Sequence, residues 1–226
     1  MNRVLYLFVL ILFFLSSCIE LIDDLTIHND GSGTFKYIMN LSSSKIKVNS
    51  ILALDSIDGK KVPSMAEIKT KLMSFAANLK TQPGISNVSM QINDFDLIVN
   101  FSCDFKTVGE FQSGFKSAIT LINKEETIDA LKESWISWDG RVLKRNIPIL
   151  SLQILEGFKE GELDLLKTGS YTSINRFDRP IEKAEKLETK LNPAKTASML
   201  RVNTFDLQKN HLLIENTIYL TPIKIK

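Results

Sequence analysis

From residue 19 the chain alternates apolar and polar positions. Ile19, Leu21, Leu25 and Ile27 fall on one side of an extended backbone, with Glu20, Asp24 and His28 on the other. A period of two predicts a half-buried strand. The stretch His28 to Gly33 follows, where Asp30-Gly31 can take the positive φ of a tight turn. Phe35, Tyr37, Met39 and Leu41 then alternate with Thr34, Lys36 and Asn40, which predicts a hairpin with an aromatic inner face.

The period then changes. Residues 42–57 predict a weak helix, with Val48, Ile51 and Leu52, and Ile46 as a further candidate, on its apolar side. Residues 63–80 predict a strong one. Ser64 and Glu67 have the spacing of a capping box, and Met65, Ile68, Leu72, Phe75 and Leu79 repeat at three and four. A second hairpin follows, with Val88, Met90 and Ile92 before a turn at Asn93-Asp94. Phe95, Leu97, Val99, Phe101, Cys103 and Phe105 come after it. Thr107 and Glu110 cap another helix, striped by Val108, Phe111, Phe115, Ile119 and Ile122, and Asn123 with Glu126 mark a short one through Leu131.

The last third is less regular. Residues 135–148 predict a hairpin around Asp139-Gly140, 149–169 a short helix inside a loop, and 170–177 a strand. Ile181, Ala184, Leu187 and Leu191 sit at helical spacing, which favours a helix over a continued strand. Residues 196–207 and 211–220 predict a closing antiparallel pair, with Leu212, Ile214, Ile218 and Leu220 facing the core. Hairpins mixed with segregated helices predict an α+β fold: a mostly antiparallel sheet with helices packed on one face.

The first residues carry a different signal. Arg3 precedes an apolar run, Val4 to Phe14, and small residues Ser16 and Ser17 follow. That order is a secretory signal, and the run falls short of the about 20 apolar residues a spanning helix needs. Leu15-Ser16-Ser17-Cys18 resembles the lipobox of bacterial lipoproteins. The resemblance implies acylation of the Cys18 sulfur and cleavage just before it, leaving 1–17 as signal peptide. Residues 18–226 then form one envelope domain, with a sub-boundary near 134–148 as an alternative. It also implies anchoring without a spanning helix, since two or three acyl chains hold firmly where one does not. The residue after Cys18 is Ile19, not Asp. In the enteric pattern this implies the outer membrane facing the periplasm; inner membrane and cell surface stay open. No linker rich in Gly, Ser or Pro separates Cys18 from the first strand, so the domain is expected to ride close to the bilayer.

Composition adds mainly exclusions. The chain has 226 residues and a formal net charge of +2, with no basic field that points to nucleic acid. Lys224, Lys226 and the stretch Arg141, Lys144, Arg145 are candidates for head-group contact, with solvated surface as the plainer reading. With Cys18 acylated, Cys103 has no disulfide partner, and its inward parity beside Phe101 and Phe105 reads as core. His28 and His211 are the two histidines and neither has a ligand-type spacing around it, so no metal and no cofactor is expected. No nucleophile elbow or phosphate loop is present, so no catalytic residue is named. The acidic pairs Asp23-Asp24 and Glu125-Glu126 read as exposed faces or helix starts.

Beyond the lipobox, Cys18, the Asp30-Gly31-Ser32-Gly33 turn, Tyr171 and Pro180-Ile181 resemble uncharacterised LppM-like lipoproteins, which implies an envelope role and no catalytic residues. Three functions follow. The first is a non-catalytic lipoprotein that binds another envelope component, protein or glycan, near the membrane. The second is a carrier of a lipid or small apolar ligand, lined by Phe35, Tyr37, Phe95, Phe101, Phe111 and Phe115. The third is a hydrolase with an unfamiliar site. Trp135 and Trp138 are further candidates for partner contact, since an exposed indole stacks on sugars or sits at a membrane interface.

Overall fold

The computed structural model describes residues 19–57, 59–122, 134–158 and 163–223. The signal segment with Cys18, the short helix expected over 123–131, Glu125-Glu126, Lys224 and Lys226 lie outside them.

The opening alternation becomes strand β1 (Glu20–Ile27), paired in antiparallel register with β2 (Gly33–Asn40) through the turn in which Gly31 has φ +86°. The Asp30 carboxylate accepts hydrogen bonds from the Ser32 backbone and hydroxyl, at 3.0 and 2.7 Å, fixing that turn. After a 3-10 turn over Ser42–Ser44 comes α1 (Lys45–Leu52), none of whose residues is buried. The small ribbon β3 (Ser56–Ile57) and β4 (Lys60–Lys61) leads to α2 (Met65–Lys80), whose start is the expected capping box. Strands β5 (Ile85–Asn93) and β6 (Ile98–Phe105) precede α3 (Val108–Ile122), capped by Thr107, whose hydroxyl accepts from the Glu110 N–H at 3.1 Å.

The rest of the described chain adds three strands to the sheet of β1, β2, β5 and β6 and builds a second, smaller sheet against it. It comprises β7 (Ile136–Trp138), β8 (Val142–Arg145), α4 (Ile149–Glu156), α5 (Asp164–Lys167), β9 (Ser170–Phe177) and β10 (Ile181–Ala184). It continues through β11 (Lys190–Leu191), β12 (Ala197–Asn203), α6 (Thr204–Lys209), a 3-10 turn over His211–Ile214, and β13 (Asn216–Leu220). The large sheet has the order β11-β12-β9-β1-β2-β6-β5, and a smaller one runs β10-β13-β8-β7. Within the large sheet β1 and β9 pair in parallel and the other neighbours are antiparallel. The fold is α+β with a mostly antiparallel sheet, as the pattern predicts.

One face of the large sheet carries everything else. Phe101 and Phe115 ring centroids lie 5.4 and 5.1 Å from Phe75 of α2. Arg145 of the small sheet and Ser151 of α4 reach Asp23 and Tyr37 on that same face. On the opposite face Asp24 is half-buried and Lys36, Asn100 and Arg176 are exposed, as expected of an antiparallel sheet largely solvated on one side.

Several expectations fail, each for a local reason. Residues 181–191 are strand, turn and strand, not helix: β10 is tied to the carboxyl-terminal β13, and Leu187 is 95% exposed. The last two strands do not pair with each other. β12 joins β9 in the large sheet and β13 joins β8 in the small one, while Asn203 caps the intervening α6 through its side chain. Leu212 is consequently exposed, whereas Ile214, Ile218 and Leu220 are buried. Phe95 lies in the β5–β6 turn, 77% exposed, because Leu97 takes φ +54° and the strand starts only at Ile98. Ile46 faces solvent rather than the apolar side of its helix.

Candidate functional site

The residues singled out in the sequence go mostly into a filled core. Phe35, Tyr37, Phe101, Phe111, Phe115 and Trp135 are all buried. Phe35 and Phe111 centroids lie 5.1 Å apart, Phe111 and Phe115 5.5 Å, and Phe111 and Trp135 5.5 Å. Such offset and edge-to-face rings fill space against one another. Trp138 is half-buried, stacked on Phe177 at 6.1 Å. Cys103 is buried, and burial pushes its thiol up to about 12, far from a thiolate at neutral pH. His28 lies at the surface, with Nδ1 3.0 Å from Asp178 Oδ1, and the histidine hydrogen bond holds that carboxyl below its usual range. Among the described residues no group of three or more His, Cys, Asp or Glu is placed to hold a metal ion.

Two features escaped the sequence reading. Asp23 is fully buried, unlike the half-buried Asp24, and Arg145 is buried beside it rather than free for head groups. Arg145 donates to Asp23 at 2.6 Å and to Asn175 Oδ1 at 3.1 Å, while Ser173 donates to the same carboxylate at 3.0 Å. Tyr171 donates its phenol to the other Asp23 oxygen. Burial raises the phenol pKa of both Tyr37 and Tyr171, so both stay protonated; Tyr37 accepts from the Ser151 hydroxyl at 3.0 Å. This cluster joins the two sheets. The parity of β1 was the available signal, since Asp23 lies in step with Leu21 and Leu25.

The second feature is a cleft. Val48 and Leu52 of α1, Met65, Ile68 and Leu72 of α2, and Met39, Ile92, Leu97 and Val99 from the sheet line a cavity of about 100 Å³. Its walls are almost wholly apolar; Asn93 and Asp94 reach only its rim near the β5–β6 turn, where Asp94 accepts from Lys69 at 2.6 Å. The lining stripes were legible, but the gap between them was not: Ile51 of α1 packs against the core while Val48 and Leu52 border the open space. On the other side of α1 lies a wider open basin of about 610 Å³, lined by Ser42 to Lys47, Ser50 and Leu165.

The cleft sits at the end of the sheet where β1 starts, β2 ends and β6 starts. Glu20 pairs with Asn40 and Asn40 with Ile98, while Ile19 accepts from the Ser170 N–H at 2.8 Å. Continuing that register sets Ile19 beside Leu41, one strand spacing of about 5 Å away, and Leu41 donates its N–H to Leu97.

No protein-family profile matches this chain, and no curated protein does. Among solved structures, the folded domain of LppM from Mycobacterium tuberculosis, determined by NMR, is similar over 92% of this chain and 94% of that one. The two are 11% identical and the TM-score is 0.40, a loose likeness.

Proposed function

We propose that this protein is a non-catalytic lipoprotein of the bacterial envelope. Acyl chains on Cys18 anchor it, and it holds an apolar group of another envelope component in the cleft between α1 and α2. The observation that carries this reading is the apolar cleft at the end of the sheet where the chain leaves the lipobox and enters β1. Between Cys18 and Glu20 stands one residue, Ile19, which is buried, so nothing in the fold separates anchor and cleft by a long leash. Outer membrane facing the periplasm is the location in keeping with Ile19 after the cysteine.

The cleft chemistry narrows the occupant. A glycan needs hydrogen-bonding groups along its contact, and these walls supply almost none. A carrier that encloses a whole lipid needs roughly 300 Å³ or more, and this cavity offers about 100 Å³. An apolar side chain or a few methylenes of an acyl chain fit better. A photo-reactive amino acid at Leu72, in the native envelope, should give a discrete adduct that the same group at Asn100 on the open sheet face does not. A fatty-acid probe should label the wild type and not Cys18→Ser. Equal labelling of the two, or identical crosslinks at the two positions, defeats the reading.

A further inference from the structure

We infer that the end of the fold at which the chain enters docks directly on the bilayer, with Ile46 and Phe95 inserted at the level of the head groups. The inference rests on the lipid anchor proposed above, and adds to it a second, non-covalent contact that fixes how the domain stands on the membrane.

Two exposed apolar side chains meet at this end. Ile46 is 88% exposed at the start of α1, and Phe95 is 77% exposed at the tip of the β5–β6 turn. They belong to one surface, because Lys45 Nζ lies 3.3 Å from the Phe95 ring centroid. Leu54, just past α1, is 50% exposed as well. In water such a group of apolar side chains has no favourable surroundings; at an interface each buried CH₂ gains about 0.8 kcal/mol. Lysine suits the rim, since its apolar stem can lie along the ring while the ammonium reaches the phosphates.

The register places a second lysine-aromatic pair on the far side of Ile19. β12 ends at Asn203, opposite Ser170, which pairs with Glu20. From there α6 carries Phe205 with Lys209 Nζ 3.8 Å from its ring centroid. The point where the lipidated residue joins the fold therefore lies between two lysine-on-phenylalanine pairs.

The opposite end of the sheet is built differently. Its turns carry His28, Asn29, Asp30, Asp178 and Arg179. None of the large apolar side chains found exposed in the described residues falls in these turns, although Leu191 borders the 192–196 turn and Ile223 follows Thr221, whose N–H bonds to Pro180. An eight-residue β1 sets the two ends about 26 Å apart at 3.3 Å per residue. The entry end differs in presenting Ile46 and Phe95 with Lys45 between them; of the carboxylates flanking Phe95, Asp94 is paired with Lys69 and Asp96 with Asn93. A chain acylated at Cys18 brings the entry end to the membrane, and so the occupant is the lipid surface.

The test uses the full lipidated protein in vesicles of phosphatidylethanolamine and phosphatidylglycerol, with nitroxide labels on Ile46→Cys, Phe95→Cys and, as reference, Asn29→Cys. The buried Cys103 does not compete for label, and Cys18 is acylated. Flotation reads anchoring, and relaxation by a water-soluble nickel chelate against oxygen reads depth. The expected result is that labels at 46 and 95 lie about 5–10 Å below the head-group surface while the label at 29 stays in water. In a second experiment a label on Leu54→Cys should sit at the interface in the otherwise unchanged protein, and Ile46→Asp/Phe95→Asp, both at exposed positions, should float normally and bring that label into water. Protein that floats with the 46, 95 and 29 labels equally hydrated overturns docking and leaves the anchor standing. Protein that does not float overturns both.

Discussion

Arg145 Nη2 lies 2.6 Å from Asp23 Oδ1, with the two side chains 2% and 0% exposed. The pair bolts the small sheet to the centre of the large one. Tyr171 and Ser173 satisfy the carboxylate and Asn175 takes a second guanidinium N–H, while the buried Nε finds no partner among the described residues. The guanidinium carbon also sits 5.4 Å from the Trp135 ring centroid.

Removing one partner leaves a charge in the core with nothing to compensate it. Arg145→Met should therefore cost about 3–5 kcal/mol, read as a lower urea midpoint. Asp23→Leu/Arg145→Met together removes both charges and should recover most of that loss. A single variant as stable as the double one would mean that water reaches the carboxylate and the bolt is not buried in solution.

The thiol of Cys103 gives a second check on the core. It packs in β6 between Phe101 and Phe105, and burial with the neighbouring Asp104 charge raises its pKa to about 12. Thiolate is the reactive form. The native protein should resist maleimide and aromatic disulfide reagents at pH 8, and react at once in denaturant. Rapid native reaction would show that β6 opens readily.

Glu67 provides a pH dependence. The Lys61 ammonium, 2.6 Å away, and then the Ser64 backbone and hydroxyl hold its carboxyl at about 2, against an ordinary 4.5. A depressed folded-state pKa means the unfolded chain binds the proton more readily. The contribution is thus complete above about 4.5 and disappears as pH falls toward 2. Thermal melts of Glu67→Gln should show a weaker acid dependence across that window than wild type. Ser64→Ala should lower stability by about 1 kcal/mol, the usual worth of such a cap. Identical acid profiles for wild type and Glu67→Gln would remove the carboxylate from the cap.

How much of this was legible depends on what each signal measures. Local periodicity gave β1, β2, α2, α3 and the β7–β8 hairpin, because alternation and capping act within a few residues. It failed at 181–191, where Ile181, Ala184, Leu187 and Leu191 happen to fall at helical spacing but β13, some 35 residues downstream, supplies strand partners. It also failed for β12 and β13, which sit next to each other in sequence and in different sheets. Asp23 could have been read from parity, but its partner Arg145 is 122 residues away, and no short-range pattern pairs them. The cleft was visible as apolar stripes on 42–57 and 63–80. That a gap remains between the facing stripes of α1 and α2 is a matter of packing, which periodicity does not report.

That gap beneath α1 is the last testable point. Val48 points to a cavity of about 100 Å³ bounded by Met65, Ile68 and Leu72 on α2. Filling an apolar cleft adds contacts without desolvating a polar wall, so Val48→Phe should leave the melting temperature unchanged or raise stability by about 0.5–2 kcal/mol. The same change removes the space an apolar partner group would occupy. A Leu72 photo-crosslink formed in the wild type should then be lost in a chain that is folded, acylated and membrane-bound. If the adduct persists in Val48→Phe at wild-type yield, the partner lies on the surface beside the cleft, and the cavity is a packing defect of a loosely held helix.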